Sequence, residues 1–197
     1  RAEVARTAEE LRVQRRKTAE WIGGEVREHL ADLGLGSAMV QIDVEAVDPG
    51  PSGGDRTEIR FASDSRLELG PIGSVASGGE LSRLVLALRL ATRSASTGTL
   101  VFDEVDTGIG GKTALAMGSK LAQLALKSQV LCVTHLPQVA AHADTHYVVD
   151  RGEDGVARVH QVTDDERLTE LSRMLAGQPD SDVGKTAAAE LLENASR

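Results

Sequence analysis

Apolar positions recur along this chain with two different periods, and the change from one to the other divides it. Over the first 33 residues Val4, Ala8, Leu11, Arg15, Thr18 and Ile22 follow steps of four and three, with charges of both signs on the other faces. This heptad-like spacing predicts one long helix from Arg1 to about Leu33, roughly 45 Å in length at 1.5 Å per residue. The stripe is thin, with polar steps at Arg15 and Thr18, so the helix needs a packing partner. That partner is either a second helix of a coiled coil or the core of its own domain. Gly34 and Gly36 end it.

Residues 39–47 alternate, with Val40, Ile42, Val44 and Ala46 on one face, which predicts a half-buried strand. Residues 49–55 are rich in Pro and Gly and are expected to form an irregular loop tip. Residues 57–62 resume as a strand with Ile59 and Phe61 inward, completing a hairpin. From residue 77 onward helices and short apolar strands alternate: helix 79–94, strand 99–102, helix 112–127, strand 129–133 and a short helix near 138–143. The two strands lack alternation, as parallel strands covered on both faces do. A second hairpin, 146–150 with 156–162, and two helices, 165–175 and 182–194, follow. The predicted class is α/β: a parallel sheet with flanking helices and β hairpins, preceded by a long coiled-coil-like helix.

Composition narrows this picture. With 197 residues, 41% hydrophobic and only 2% aromatic, the chain has a core of Leu, Val, Ile and Ala rather than of aromatic side chains. No apolar run approaches the roughly 20 residues of a membrane span, and no signal-peptide pattern opens the chain. A cytoplasmic location is expected, and the start at Arg1 suggests a fragment. The net charge of −8 argues against nucleic-acid binding through the overall field. Arg12, Arg15, Arg16 and Lys17 form the one basic cluster, either a solvated face or a phosphate contact. Cys132, inside an apolar strand, reads as a buried, inert thiol.

Three stretches carry chemistry. Ser77-Gly78-Gly79-Glu80 precedes an apolar helix (Leu81, Leu84, Val85, Leu88, Leu90). Its glycines let the first N–H groups face an anion at the positive helix end, with Ser77 adding a hydroxyl. The same residues also fit a plain N-cap with Glu80 as the capping-box acid. Asp103-Glu104 ends the strand 99–102, where α/β sheets bind ligands. There one carboxylate can hold Mg²⁺ through water while the other faces an attacking water, or both are simply solvated acids. His135 ends the next strand before Pro137, placed to hydrogen-bond a terminal phosphate or to serve structure. Asp106 lengthens the acidic run. Gly108 to Thr113 and Gly184-Lys185-Thr186 imitate a phosphate-binding loop, but Asp106 and Pro179 stand where its first glycine belongs.

Ser77-Gly78-Gly79-Glu80-Leu81-Ser82-Arg83 resembles the ABC signature in its SMC-like form, and Phe102-Asp103-Glu104-Val105-Asp106 resembles the matching Walker B. Residues 103–111 and 132–140, with 173–177, are similar to the RecN branch of the SMC-like ABC ATPases. The resemblance runs from about Val75 to Ala176. It implies the C-terminal lobe of an ABC/SMC-type P-loop NTPase head over residues 34–197, with residues 1–33 as the end of a coiled-coil arm. It also implies ATP and Mg²⁺ as cofactors. Ser77, Gly78 and Gly79, with Glu80 beside them, would meet the γ-phosphate of ATP on the opposite head. Asp103 would hold Mg²⁺ through water, Glu104 would polarise the attacking water, and His135 would sense the γ-phosphate. Gly110 stands where the wider family has a D-loop aspartate.

The implied function is ATP hydrolysis in DNA double-strand break repair and recombination, in the cytoplasm at the nucleoid. The implied partners are the N-terminal lobe of the same protein, which brings Walker A, and a second head in a homodimer. DNA would be bound through the whole protein, weakly or not at all through this segment, and no membrane is involved. This segment alone is expected to be inactive. The rival readings are a transporter's nucleotide-binding subunit and a DNA-holding clamp with a vestigial nucleotide site.

Overall fold

A computed structural model describes residues 2–51, 53–92, 98–179 and 181–195, without the side chain of Val75. The chain forms two compact units, Arg1–Ala95 and Ser96–Arg197.

The first unit is built on helix α1 (Ala2–Asp32). Its buried positions are Ala19, Gly23, Val26 and Leu30, continued by Leu33 beyond the helix end. These keep the expected four-three step, but one residue out of phase with the predicted stripe: Thr18 is exposed and Ile22 only half-buried. The phase is set further up the helix, where Arg12 and Arg15 take the docking face. Arg12 Nε and Arg15 Nη1 reach the two carboxylate oxygens of Asp55 at 2.6 and 2.8 Å, and the Asp55 side chain is only 2% exposed. Arg12 also donates to the Gly54 carbonyl and Arg16 to that of Val44. Of the basic cluster, Arg12 and Arg15 are thus drawn onto the docking face, while Arg16 and Lys17 remain exposed. The polar step in the stripe is an ion-pair step. Gly34, at φ +78°, closes the helix, with the Leu35 N–H returning to the Leu30 carbonyl.

β1 (Met39–Gly50) pairs antiparallel with β2 (Gly53–Ala62), which pairs with the short β3 (Gly70–Pro71). Val40 lies opposite Phe61 and Ile42 opposite Ile59, so the expected inward residues share one face. The predicted loop tip is corrected: pairing runs on to Gly50 opposite Gly53, with a register shift after Ala46. Glycine makes this possible, Gly53 sitting at φ +103°. After α2 (Ile72–Val75), which the periodicity did not foresee, α3 (Gly78–Thr92) packs against α1. The last two residues of the predicted helix, Arg93 and Ser94, lie outside the described residues.

In the second unit β4 (Thr99–Phe102) crosses through α4 (Gly111–Ala125) to β5 (Gln129–Cys132), and the two strands pair parallel from Thr99 opposite Gln129 to Phe102 opposite Cys132. Full coverage of these strands is not observed. Phe102 is buried, while Val101 and Val133 are 66% and 62% exposed. One face of the pair is packed and the other is open. The short α5 (Pro137–Ala140) lies so close to α4 that a Cβ on Gly118 would stand 2.9 Å from the Gln138 carbonyl oxygen. β6 (His146–Arg151) and β7 (Ala157–Val162) form the second hairpin, and α6 (Asp164–Ala176) and α7 (Asp182–Ala195) close the chain. Leu171 and Ala188 centre their core, with Ala140 and Ala141. No helix among the described residues is long and apolar enough to cross a membrane.

Candidate nucleotide site

In the first unit Ser77 caps α3. Its backbone N–H donates to Glu80 Oε2 at 2.8 Å, the Glu80 N–H donates to Ser77 Oγ at 3.3 Å, and the Ser77 carbonyl accepts from Leu81. This reciprocal pair is the capping box that the sequence allowed. The Ser77 N–H holds the Glu80 carboxyl below the usual range against the effect of burial, with the hydroxyls of Ser77 and Ser63 adding to it. Capping and anion binding do not compete here, because a fixed helix start also aims the first-turn N–H groups. Gly78 is exposed and Gly79 buried. Leu84, Leu86, Ala87 and Leu90 anchor the helix behind them, whereas Leu81 and Val85, expected in its core, are 38% and 39% exposed.

In the second unit the ends of β4 and β5 bring Asp103, Glu104 and His135 to one edge of the parallel pair. Val133 stays in register by donating to the Phe102 carbonyl. Asp103 and Glu104 are exposed, and Asp103 Oδ1 accepts the Glu104 N–H at 3.0 Å. Glu104 stands at φ +56°, a left-handed conformation that costs a non-glycine residue about 1–2 kcal/mol. That twist turns the chain at once into the bend that carries Val105 and Asp106 inward, to 0% and 3% exposure.

Asp106 is the residue whose importance the sequence did not reveal. Its Oδ2 accepts from Thr134 Oγ1 at 2.5 Å, from the His135 N–H at 3.0 Å, and lies 3.1 Å from His135 Nδ1. Thr134 Oγ1 in turn accepts the Leu136 N–H. One buried carboxylate thus ties the loop after β4 to the loop after β5. The only available signal was chemical: an acid in an apolar turn has to find partners. Cys132 feels the same acids. Burial first, then the charges of Asp106 and Asp103, push its thiol up to about 12.

The two loops that imitate a phosphate-binding loop do not become one. Gly111 opens α4 directly, and Gly184 lies inside α7, where a Cβ would stand 2.4 Å from Ser172 Oγ. Among the described residues no three His, Cys, Asp or Glu side chains gather as a metal cage.

No family model matches the chain. It is 42% identical over 99% of its length to the DNA repair protein RecN of Streptomyces coelicolor, and 41% identical over 98% to that of Mycobacterium tuberculosis. It spans 37% of the length of each of these curated relatives. Among solved structures, the Smc head domain of Pyrococcus yayanosii with its coiled coil and joint covers 92% of this chain, and this chain covers 30% of that one. That match has a TM-score of 0.55 at 22% identity, which shows a shared fold. With RecN relatives along nearly its whole length and the fold of an SMC head, the chain belongs to the RecN family.

Proposed function

We propose that this chain is the C-terminal lobe of an SMC-like ATPase head, from a protein that acts in DNA double-strand break repair and recombination. The observation that supports the reading is the shared edge of β4 and β5, where Asp106 ties the loop that carries Asp103 and Glu104 to the Thr134–His135 step. Asp103 is the Mg²⁺ residue. Mg²⁺ is ordinarily bound by one or two carboxylates plus substrate phosphates, so a single exposed aspartate at a strand end suits it and a cage is not needed. When bound, the ion supplies charge neutralisation at the phosphates. Glu104 accepts a proton from the attacking water, and His135 senses the terminal phosphate. Ser77, Gly78 and Gly79, at the start of α3, serve a nucleotide held by a second head.

The N-terminal lobe of the same protein contributes the Walker A lysine, which this sequence lacks. The open face of the parallel pair, with Val101, Leu131 and Val133, is the surface it would cover. DNA contact lies outside this segment for the most part. Arg12, Arg15 and Arg16, three of the four cations in the N-terminal basic cluster, are already engaged within the chain.

The test is Glu104→Gln in the protein that carries both lobes. The expected outcome is intact ATP binding and head pairing with turnover reduced about 100-fold or more. Turnover at the unaltered rate would remove Glu104 from the chemistry.

A further inference from the structure

We propose that Asp106 is a positioning residue for His135, fixing both the orientation of its ring and the nitrogen that carries its proton. This rests on the reading of His135 as the group that addresses the nucleotide. A carboxylate at 3% exposure has to be compensated, and its Oδ2 meets the Thr134–His135 step at three atoms. Two of them, from the Thr134 hydroxyl and the His135 N–H, would suffice to join the strand ends. The third does something else. At 3.1 Å, Nδ1 of His135 is held against the buried oxygen although 73% of the His135 side chain is exposed. An exposed imidazole is otherwise free to turn about both side-chain torsions.

The contact has a chemical consequence. A carboxylate only accepts, so an oxygen at that distance favours the proton on Nδ1 over a lone pair there. Nε2 is then the nitrogen left for a nucleotide. It accepts in the neutral ring and donates once the ring is doubly protonated. Without Asp106 the ring would be free to place its single proton on either nitrogen and to face either way. The partner that orients a working histidine is commonly a carboxylate on the far ring nitrogen, and here that carboxylate sits on the Walker B loop.

The experiment labels the histidine nitrogens of the whole chain and reads the ring of His135 by NMR, assigned with His135→Gln. The expected spectrum of the neutral ring is that of the Nδ1–H form. The Nε2–H form in the unaltered protein would overturn the proposal without any variant. In the protein with both lobes, Asp106→Ala is expected to lower kcat about 10- to 100-fold with KM little changed. Asp106→Asn, which retains an acceptor oxygen, is expected to recover part of that loss. Thr134→Val, which removes only the hydroxyl tie, should keep both the Nδ1–H spectrum and kcat. If His135→Ala abolishes turnover while Asp106→Ala and Asp106→Asn leave kcat unchanged, the positioning role is wrong and the role of His135 stands. If His135→Ala turns over normally, the reading beneath the proposal fails.

Discussion

Glu104 and Asp106 are two residues apart and live in opposite conditions. Glu104 is exposed on a strained left-handed backbone, while Asp106 is buried and bonded. The strain at one is sustained by the bonds at the other, because the turn between them is closed by Thr107 donating to the Glu104 carbonyl. The charges of Asp106 and Asp103 reach one strand further, to Cys132. With its thiol pushed up to about 12, an ordinary thiol near 8.5 would carry on the order of 1,000 times more thiolate at neutral pH. Alkylation of Cys132 by iodoacetamide at pH 7 is therefore expected to be at least about 100-fold slower in the folded chain than in denaturant. A rate equal to that of the denatured chain would show that the acids and the packing around it are misplaced. At this scale the motif residues were legible because glycine, serine and paired acids announce their chemistry locally. Asp106 was not, since its partners lie 28 and 29 residues away across a strand pair.

Elements were readable where one period governs them, and they slipped where a tertiary contact intervened. The hairpin β1–β2, the parallel order of β4 and β5 and both closing helices follow from pattern alone. The phase of α1 does not, because it depends on Asp55 in another element. The Arg12 hydrogen bond holds the Asp55 carboxyl below its usual range, with Arg15 adding to the effect against the cost of burial. Because the folded value is depressed, the stabilisation is complete above the unfolded value near 3.9 and is lost as pH falls through the folded one. Hydrogen exchange in residues 5–18 is expected to stay slow from neutral pH to about 4 and to accelerate in stronger acid. Asp55→Asn should produce the fast exchange already at pH 7. Equal protection in the variant would mean that the ion pairs hold nothing.

For the whole molecule, the open face of the β4–β5 pair is the feature that periodicity misjudged. The sequence of those strands is written for coverage on both sides, and Val101, Leu131 and Val133 remain exposed in this chain. The strands lack the alternation of a half-open sheet, and the proposed N-terminal lobe is what would cover them. The proposed division of the head predicts that this chain alone binds an apolar dye such as ANS and gives no measurable ATP turnover. Adding the N-terminal lobe should displace the dye and start turnover. Dye bound undiminished in an active two-lobed protein would show that this face is not where the lobes meet.

The attachment of α1 has a mechanical meaning. The helix is fastened near Arg12 by the Asp55 ion pairs and again near Leu30 in the core, two points roughly 27 Å apart at 1.5 Å per residue. A rod held at two separated points resists a sideways load differently from one held at a single hinge. A push on the helix beyond Arg12 becomes a couple, pulling at the Asp55 tie while loading the core packing around Leu30. A bending load on α1 is thus delivered to its packing against α3 as torque rather than absorbed at a joint.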